Sequence, residues 1–401
     1  MTHRFIALCS AVLMSCMPPL LQAREGAGPG PGLAVTVDVS HVGKDKWRVD
    51  YRFSQPVTAV KLASVGEDRH KAWKMLTAGV RLKADPEFDI IASDGKPFRV
   101  ASVEIDTFDG RPEKQYAPFN RFSDGGTAVF LGHLQGEASR GKQTVEMSTD
   151  IRLHGLLQEN VIAAPLNKLA PGGQRGYAYF GPDHAVPAGP ALVLLDANAP
   201  PWVRETVLDV GEKMAQYYEK TYQRSLKEKL FIMLSVSEPD VPGFSVKGGM
   251  VLGQLSYRVG GNEVTGEHPK KRYFLAKVVA HEMAHIWQMN VDRGGIGPRD
   301  PWIYEGGAEA MALEGMLQTG VASQETVAAY RAGQAATCEK LGDSVASFNG
   351  IYACGLMRFD RLGIGIVPLW RAMMEATEVK GEVYSQEMID AIVRESGNKH
   401  L

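Results

Sequence analysis

Past its first two dozen residues the chain has no apolar run of the ~20 residues that a membrane-crossing helix needs. It also lacks an excess of either charge: 44 Lys and Arg stand against 46 Asp and Glu, a formal net charge of −2. There is thus no basic field to hold a phosphate backbone, which excludes nucleic acid as a partner and disfavours anionic lipid. Cysteine is scarce, with four in 401 residues, too few for a disulfide-stapled scaffold. No internal repeat is found, and the only low-complexity tract is a Gly/Pro stretch from Gly26 to Gly32. With 44% hydrophobic and 22% charged residues, the composition is that of a globular chain able to bury a full core, and its length suggests two domains.

The beginning differs from all that follows. His3 and Arg4 precede an apolar run from Phe5 to Met14, then Pro18, Pro19 and a small residue at Ala23. Residues 1–23 read as an export signal, and 24–32 as a flexible leader. Leu13-Met14-Ser15-Cys16 resembles a lipoprotein cleavage site, which makes a lipid anchor at Cys16 the second choice behind cleavage after Leu21-Gln22-Ala23. The expected location is the bacterial periplasm or the exterior. Cys338 and Cys354 are the cysteines left in the exported part, and they either pair or remain as two buried thiols.

From Leu33 the pattern has period two. Leu33, Val35, Val37 and Val39 alternate with small or polar residues, then Trp47, Val49, Tyr51 and Phe53 do so across a turn containing Gly43, the mark of a hairpin with one buried face. Further runs at Val57–Leu62, Phe88–Ile91, Phe98–Ile105 and Ala128–Leu131 make residues 33–196 a β-rich domain resembling a sandwich. The period changes at Pro200-Pro201. Val203, Val207, Val210, Met214 and Tyr218 predict a helix from about 201 to 222. Lys229–Val236 and Met250–Val259 read as strands, and helices dominate from Lys271. The fold class is therefore α+β, with a mainly helical second domain over 197–401.

That second half contains His281-Glu282-Met283-Ala284-His285. Residues four apart project from one helical face, so both imidazoles can reach one cation, and Glu282 stands beside them to take a proton from metal-activated water. A solvated helix whose histidines bond only to neighbours is the bland alternative. The flanking Leu275, Val278, Val279, Ile286 and Trp287 argue for burial, which obliges the polar trio to find partners. Further on, Trp302-Ile303-Tyr304-Glu305-Gly306-Gly307-Ala308-Glu309 reads as a second helix with Glu305 and Glu309 on one face. One carboxylate can complete a three-ligand zinc site and the other can support a ligand histidine. A purely structural zinc site would have little use for Glu282. Serine-hydrolase chemistry has no footing, because Gly243-Phe244-Ser245-Val246-Lys247 lacks the second glycine of a nucleophile elbow.

These two motifs, with nineteen residues between His285 and Glu305, resemble the gluzincin zinc peptidases of the aminopeptidase N family. The resemblance implies a thermolysin-like second domain, Zn2+ as cofactor, a peptide or protein as substrate, and metal ligands His281, His285 and Glu305. It leaves Glu309 as the support and Glu282 as general base. Tyr352-Ala353-Cys354-Gly355 is similar to the family's Tyr-x-x-Gly segment and implies that Tyr352 stabilises the tetrahedral intermediate, with Tyr330 as a competitor. Gly248, Gly249 and Met250 stand where the family's substrate-binding strand begins. The next position, a glutamate that binds the substrate's amino group in relatives, is Val251 here, so exopeptidase and endopeptidase action stay open. A peptide-binding or scaffolding protein that keeps the fold without the activity is the alternative function.

Overall fold

The computed structural model describes residues 32–398, apart from 64, 66, 86–87, 109–115, 164–175, 227–228, 252 and 298. The expected export segment 1–23, Cys16 and the leader up to residue 31 lie outside the described residues. Among those described, no helix is long and apolar enough to cross a membrane.

The first half is built of strands. In chain order they are β1 (Leu33–Gly43), β2 (Lys46–Val57), β3 (Ala59–Ala63), a short helix α1 (Asp68–Ala72), β4 (Trp73–Met75), β5 (Val80–Ala84), β6 (Phe88–Ser93), β7 (Phe98–Asp106), β8 (Phe119–Arg121), β9 (Thr127–Phe130), a 3-10 turn at Leu131–Leu134, β10 (Gly136–Arg140), β11 (Gln143–His154), β12 (Asn160–Ala163) and β13 (Tyr177–Gly181). Nine of them form one sheet, in the order β4-β7-β2-β1-β11-β10-β3-β6-β5, and four form another, β12-β13-β9-β8. Alternation sets the first hairpin: Val35, Val37 and Val39 pair with Phe53, Tyr51 and Val49, and all six are buried.

The four-stranded sheet has two apolar faces. Phe119, Val129, Ala178 and Phe180 share a core with the nine-stranded sheet. Ala128, Phe130, Tyr177 and Tyr179 turn the other way, onto Leu194, Phe231, Met233 and Val251 of a third sheet. That sheet comprises β14 (Val186–Ala188), β15 (Ala191–Leu195), β16 (Leu230–Ser237), β17 (Ser245–Val251) and β18 (Gln254–Gly260), in the order β14-β15-β16-β18-β17. Two of its strands precede residue 197, so the expected division between 196 and 197 falls inside this sheet's sequence. One expectation needs correction: the single strand read over Met250–Val259 is the β17–β18 hairpin, turned where Gly253 adopts φ +82°.

Helices cover the far face of the third sheet. α2 (Pro201–Tyr222) and α3 (Pro269–Gln288) pack on it, followed by α4 (Pro301–Gln318), α5 (Gln324–Lys340), α6 (Phe348–Arg361), α7 (Ile366–Lys380) and α8 (Gln386–Asn398). Proline at the first helical position opens α2, α3 and α4, where its missing N–H costs nothing. Ser323 and Ser347 cap α5 and α6 by accepting from Thr326 N and Gly350 N. The result is a large β-rich N-terminal domain and a helical C-terminal one.

Candidate metal centre

α3 is buried along its C-terminal two thirds: every residue from Leu275 to Gln288 is buried, including two histidines, a glutamate and a lysine. Such polar groups must find partners inside the protein. α4 supplies them. His281 Nε2 lies 3.2 Å from Glu305 Oε2, His285 Nε2 lies 3.3 Å from the same oxygen, and the two Nε2 atoms are 3.1 Å apart. A point just off the plane of this triangle is about 2 Å from all three corners, the bond length of zinc to nitrogen or carboxylate oxygen. Two imidazole lone pairs turned on one point repel unless a cation sits between them. The donor set therefore fits a divalent metal.

The outer nitrogens are also placed. His285 Nδ1 lies 2.7 Å from Gln288 Oε1, and Gln288 Nε2 in turn donates to Tyr304 O. As Gln288 Oε1 only accepts, the His285 proton sits on Nδ1 and the lone pair of Nε2 faces the metal point. His281 Nδ1 lies 3.1 Å from Glu309 Oε1, within ion-pair distance but oblique for a hydrogen bond. Glu309 is itself held by Lys277 Nζ at 2.7 Å on Oε1 and by the Tyr330 hydroxyl at 2.9 Å on Oε2. Glu305 thus lies beside both Nε2 atoms, and Glu309 lies on the Nδ1 side of His281.

Glu282 is fully buried. Its Oε2 accepts the Met250 N–H at 2.9 Å, while Oε1 has no hydrogen-bond partner among the described residues. Burial raises its carboxyl pKa, against the opposing pull of the two histidines. In the metal-free protein burial also lowers that of His281, but the carboxylates of Glu305 and Glu309 outweigh it and lift it to about 10. Glu305 and Glu309 move down: burial would raise both, yet the charge of His285 brings Glu305 to about 2 and that of Lys277 depresses Glu309 further.

Tyr352 is brought to the same place by a contact between glycines. Gly306, next to Glu305 on α4, lies against Gly355 on α6, and a Cβ built on Gly306 would stand 2.4 Å from the Gly355 carbonyl carbon. The helices therefore touch backbone to backbone, and Tyr352, one turn before Gly355, comes to rest with its ring 5.7 Å from that of His281. Tyr330 instead points at Glu309, on the side of His281 away from its ligand atom. The substrate-strand residues Gly248, Gly249 and Met250 lie on β17, the edge strand of the third sheet. Gly248 has φ +137°, and a Cβ there would be 1.9 Å from Ser256 O, so only glycine fits. Met250 has both main-chain groups engaged, the N–H by Glu282 and the carbonyl by the Tyr116 hydroxyl at 2.5 Å. Val251 is 7% exposed and belongs to the apolar layer between sheets.

Sequence reasoning missed Gln288, Lys277 and Tyr116. The first two carry a signal: they stand three residues after His285 and four before His281, at the spacing of one helical face. Tyr116 carries none. Cys338 and Cys354, whose pairing was left open, form a disulfide between α5 and α6.

No protein-family model matches the sequence, and no curated protein matches it either. The fold does have solved counterparts. An aminopeptidase N family protein from Idiomarina loihiensis superposes with a TM-score of 0.55 at 11% identity, covering 88% of this chain and 71% of that one. Native yeast LTA4 hydrolase gives 0.50 at 11%, covering 90% and 64%. An M1 zinc metallopeptidase from Deinococcus radiodurans gives 0.46 at 13%, covering 90% of each chain. The chain shares its overall fold with the first two of these structures.

Proposed function

We propose that this chain is an exported zinc-dependent peptidase, with His281, His285 and Glu305 holding the ion. The observation that carries the reading is the buried triangle of two Nε2 atoms and one carboxylate oxygen beside a glutamate with one free oxygen. When bound, zinc supplies a Lewis acid that acidifies water and polarises a carbonyl. The rest is done by side chains. Glu282, its Oε2 fixed by the Met250 N–H, takes the proton of the attacking water on Oε1 and passes it to the leaving amine. The Tyr352 hydroxyl donates to the substrate oxygen as it gains negative charge, a contribution of about 3 kcal/mol where such donors have been removed. Gln288 and Glu309 hold the imidazoles in place.

A peptide laid along β17 adds a strand to an open edge. Because Met250 N–H is engaged, pairing falls to the Gly248–Gly249 end. Export is supported by the basic and apolar start of the chain and by the Cys338–Cys354 disulfide, a bond at home in an oxidising compartment.

The test is incubation of the zinc-loaded protein with a mixed peptide library, products being read by mass spectrometry. Peptide cleavage abolished by Glu282→Gln is expected. Intact peptides would overturn the reading in favour of a binding or scaffolding role. The mode of cleavage follows from Val251. An apolar side chain packed between sheets cannot pair with an ammonium, so a free amino terminus gains nothing there and is costly to desolvate. Acetylated peptides should be cleaved at least as well as their free counterparts. A strong preference for the free amine would show that a carboxylate elsewhere binds it.

A further inference from the structure

α5 buries little for its length: of its seventeen residues, Val327 and Cys338 are buried. A helix so exposed is not held in place by its apolar face. Among the described residues, three polar or covalent ties hold it instead. Near its middle, the Tyr330 hydroxyl reaches Glu309 and Lys277, behind His281. Arg331 pairs with Asp360 on α6, an ion pair about a third exposed and therefore weak. In its last turn Cys338 is bonded to Cys354.

Cys354 lies two residues after Tyr352 and next to Gly355, the point at which α6 meets α4. The segment between α5 and α6, residues 341–347, is half-buried or exposed, as is Phe348 at the start of α6. The N-terminal turn of α6 thus leans on the disulfide. The bond closes a circuit from His281 through Glu309, Tyr330 and α5 to Cys354 and Tyr352, whose ring returns to His281. We infer that the Cys338–Cys354 disulfide is a positioning device for Tyr352, fixing the tyrosine against the metal site by making α5 a brace. The inference rests on the peptidase reading of that site.

The experiment compares kcat, KM and zinc content of the parent with a Cys338→Ala, Cys354→Ala double variant, each made also with Tyr352→Phe. Loss of the disulfide should lower kcat about tenfold, as expected when a catalytic group shifts by less than about 1 Å. KM and bound zinc should stay unchanged. In the Tyr352→Phe background the same loss should cost nothing further, because the group it positions is already gone. A tenfold fall that persists in that background, an unchanged kcat, or loss of zinc along with activity would each overturn the inference. If the double variant does not fold, the intact enzyme is treated with a phosphine. The Sγ–Sγ bond then takes up two electrons and two protons to give two thiols, while phosphorus is oxidised and receives the oxygen of a water. The same four-way comparison is read, and reoxidation should restore kcat. Absence of peptidase activity in the parent would instead sink the peptidase reading, and this inference with it.

Discussion

At the scale of single residues, two glutamates four positions apart do different work, and the difference is geometric. Glu305 Oε2 shares a point with two Nε2 atoms, whereas Glu309 is held by Lys277 and Tyr330 and touches His281 from behind. Glu305→Ala should therefore abolish binding of about one zinc per chain, while Glu309→Ala should weaken it ten- to a hundredfold, the usual loss when a support of a ligand histidine is removed. Metal analysis after dialysis separates the two, and the opposite ranking would exchange their roles. The two tyrosines divide likewise. Tyr352→Phe should lower kcat about a hundredfold with KM little changed, as for other oxyanion donors. Tyr330→Phe should spare kcat more than zinc affinity, since its hydroxyl meets Glu309 and not the substrate side. Equal kcat in Tyr352→Phe and the parent would remove the oxyanion role. The meeting of the histidines with the glutamates was legible in the sequence because residue type and helical spacing together restrict which side chains can converge. Gln288 and Lys277 went unread despite their helical spacing from the histidines, because amide and ammonium groups are ordinary on solvated helices and that spacing becomes telling only once both are seen to be buried.

At the scale of elements, helix ends were well marked, and α2 runs over the expected residues 201–222 because Pro201 opens it and the apolar residues keep a 3.6 period. What the period could not give is how closely helices approach. Glycine inside a helix costs about 1 kcal/mol relative to alanine and reads as a weakness. Gly306 and Gly355 are tolerated since each is the floor on which the other helix rests. Gly306→Ala would put a methyl 2.4 Å from the Gly355 backbone and 2.8 Å from Leu356 N, contacts that backbone must yield to relieve. The expected cost is about 1–3 kcal/mol of stability, together with a fall in kcat as α6 carries Tyr352 away from His281. Thermal unfolding and steady-state kinetics measure both. A variant as stable and as active as the parent would mean that α6 sits less tightly on α4 than the structure shows. The β17–β18 hairpin escaped notice for the opposite reason: its turn is short, and a β-rich run with weak alternation looks continuous until the pairing of Val251 with Gln254 is seen.

At the scale of the whole molecule, the two halves are joined by polar ties that no periodicity announces. Strands β14 and β15 sit in an apolar stretch that reads equally well as the end of a β-rich domain, and only the pairing of β14 with β15 and of β15 with β16 assigns them to the sheet under α3. Gln254, fully buried, pairs both ends of its amide with the backbone of Tyr177 on the four-stranded sheet, as another strand would. Asp196 does more. Also fully buried, it accepts from Ser123 N at 3.0 Å and from the Ser123 hydroxyl on the β8–β9 turn, from Asn198 N at 3.0 Å, and from Val236 N at 3.1 Å on β16. One carboxylate thus satisfies groups from the β-rich half and from the third sheet at once, and its removal strands them together. Unmade bonds to buried donors cost about 1–3 kcal/mol each, so Asp196→Ala should destabilise the protein by roughly 3 kcal/mol or more. Because Ser123 and Val236 belong to different halves, the loss should also uncouple them. Denaturant unfolding followed by far-UV dichroism and by zinc release should change from coincident transitions to separate ones. If the two probes still coincide in the variant at an unchanged midpoint, Asp196 adds nothing to the junction, and the apolar layer of Phe122, Phe130, Tyr177, Phe231 and Met233 holds the halves together alone.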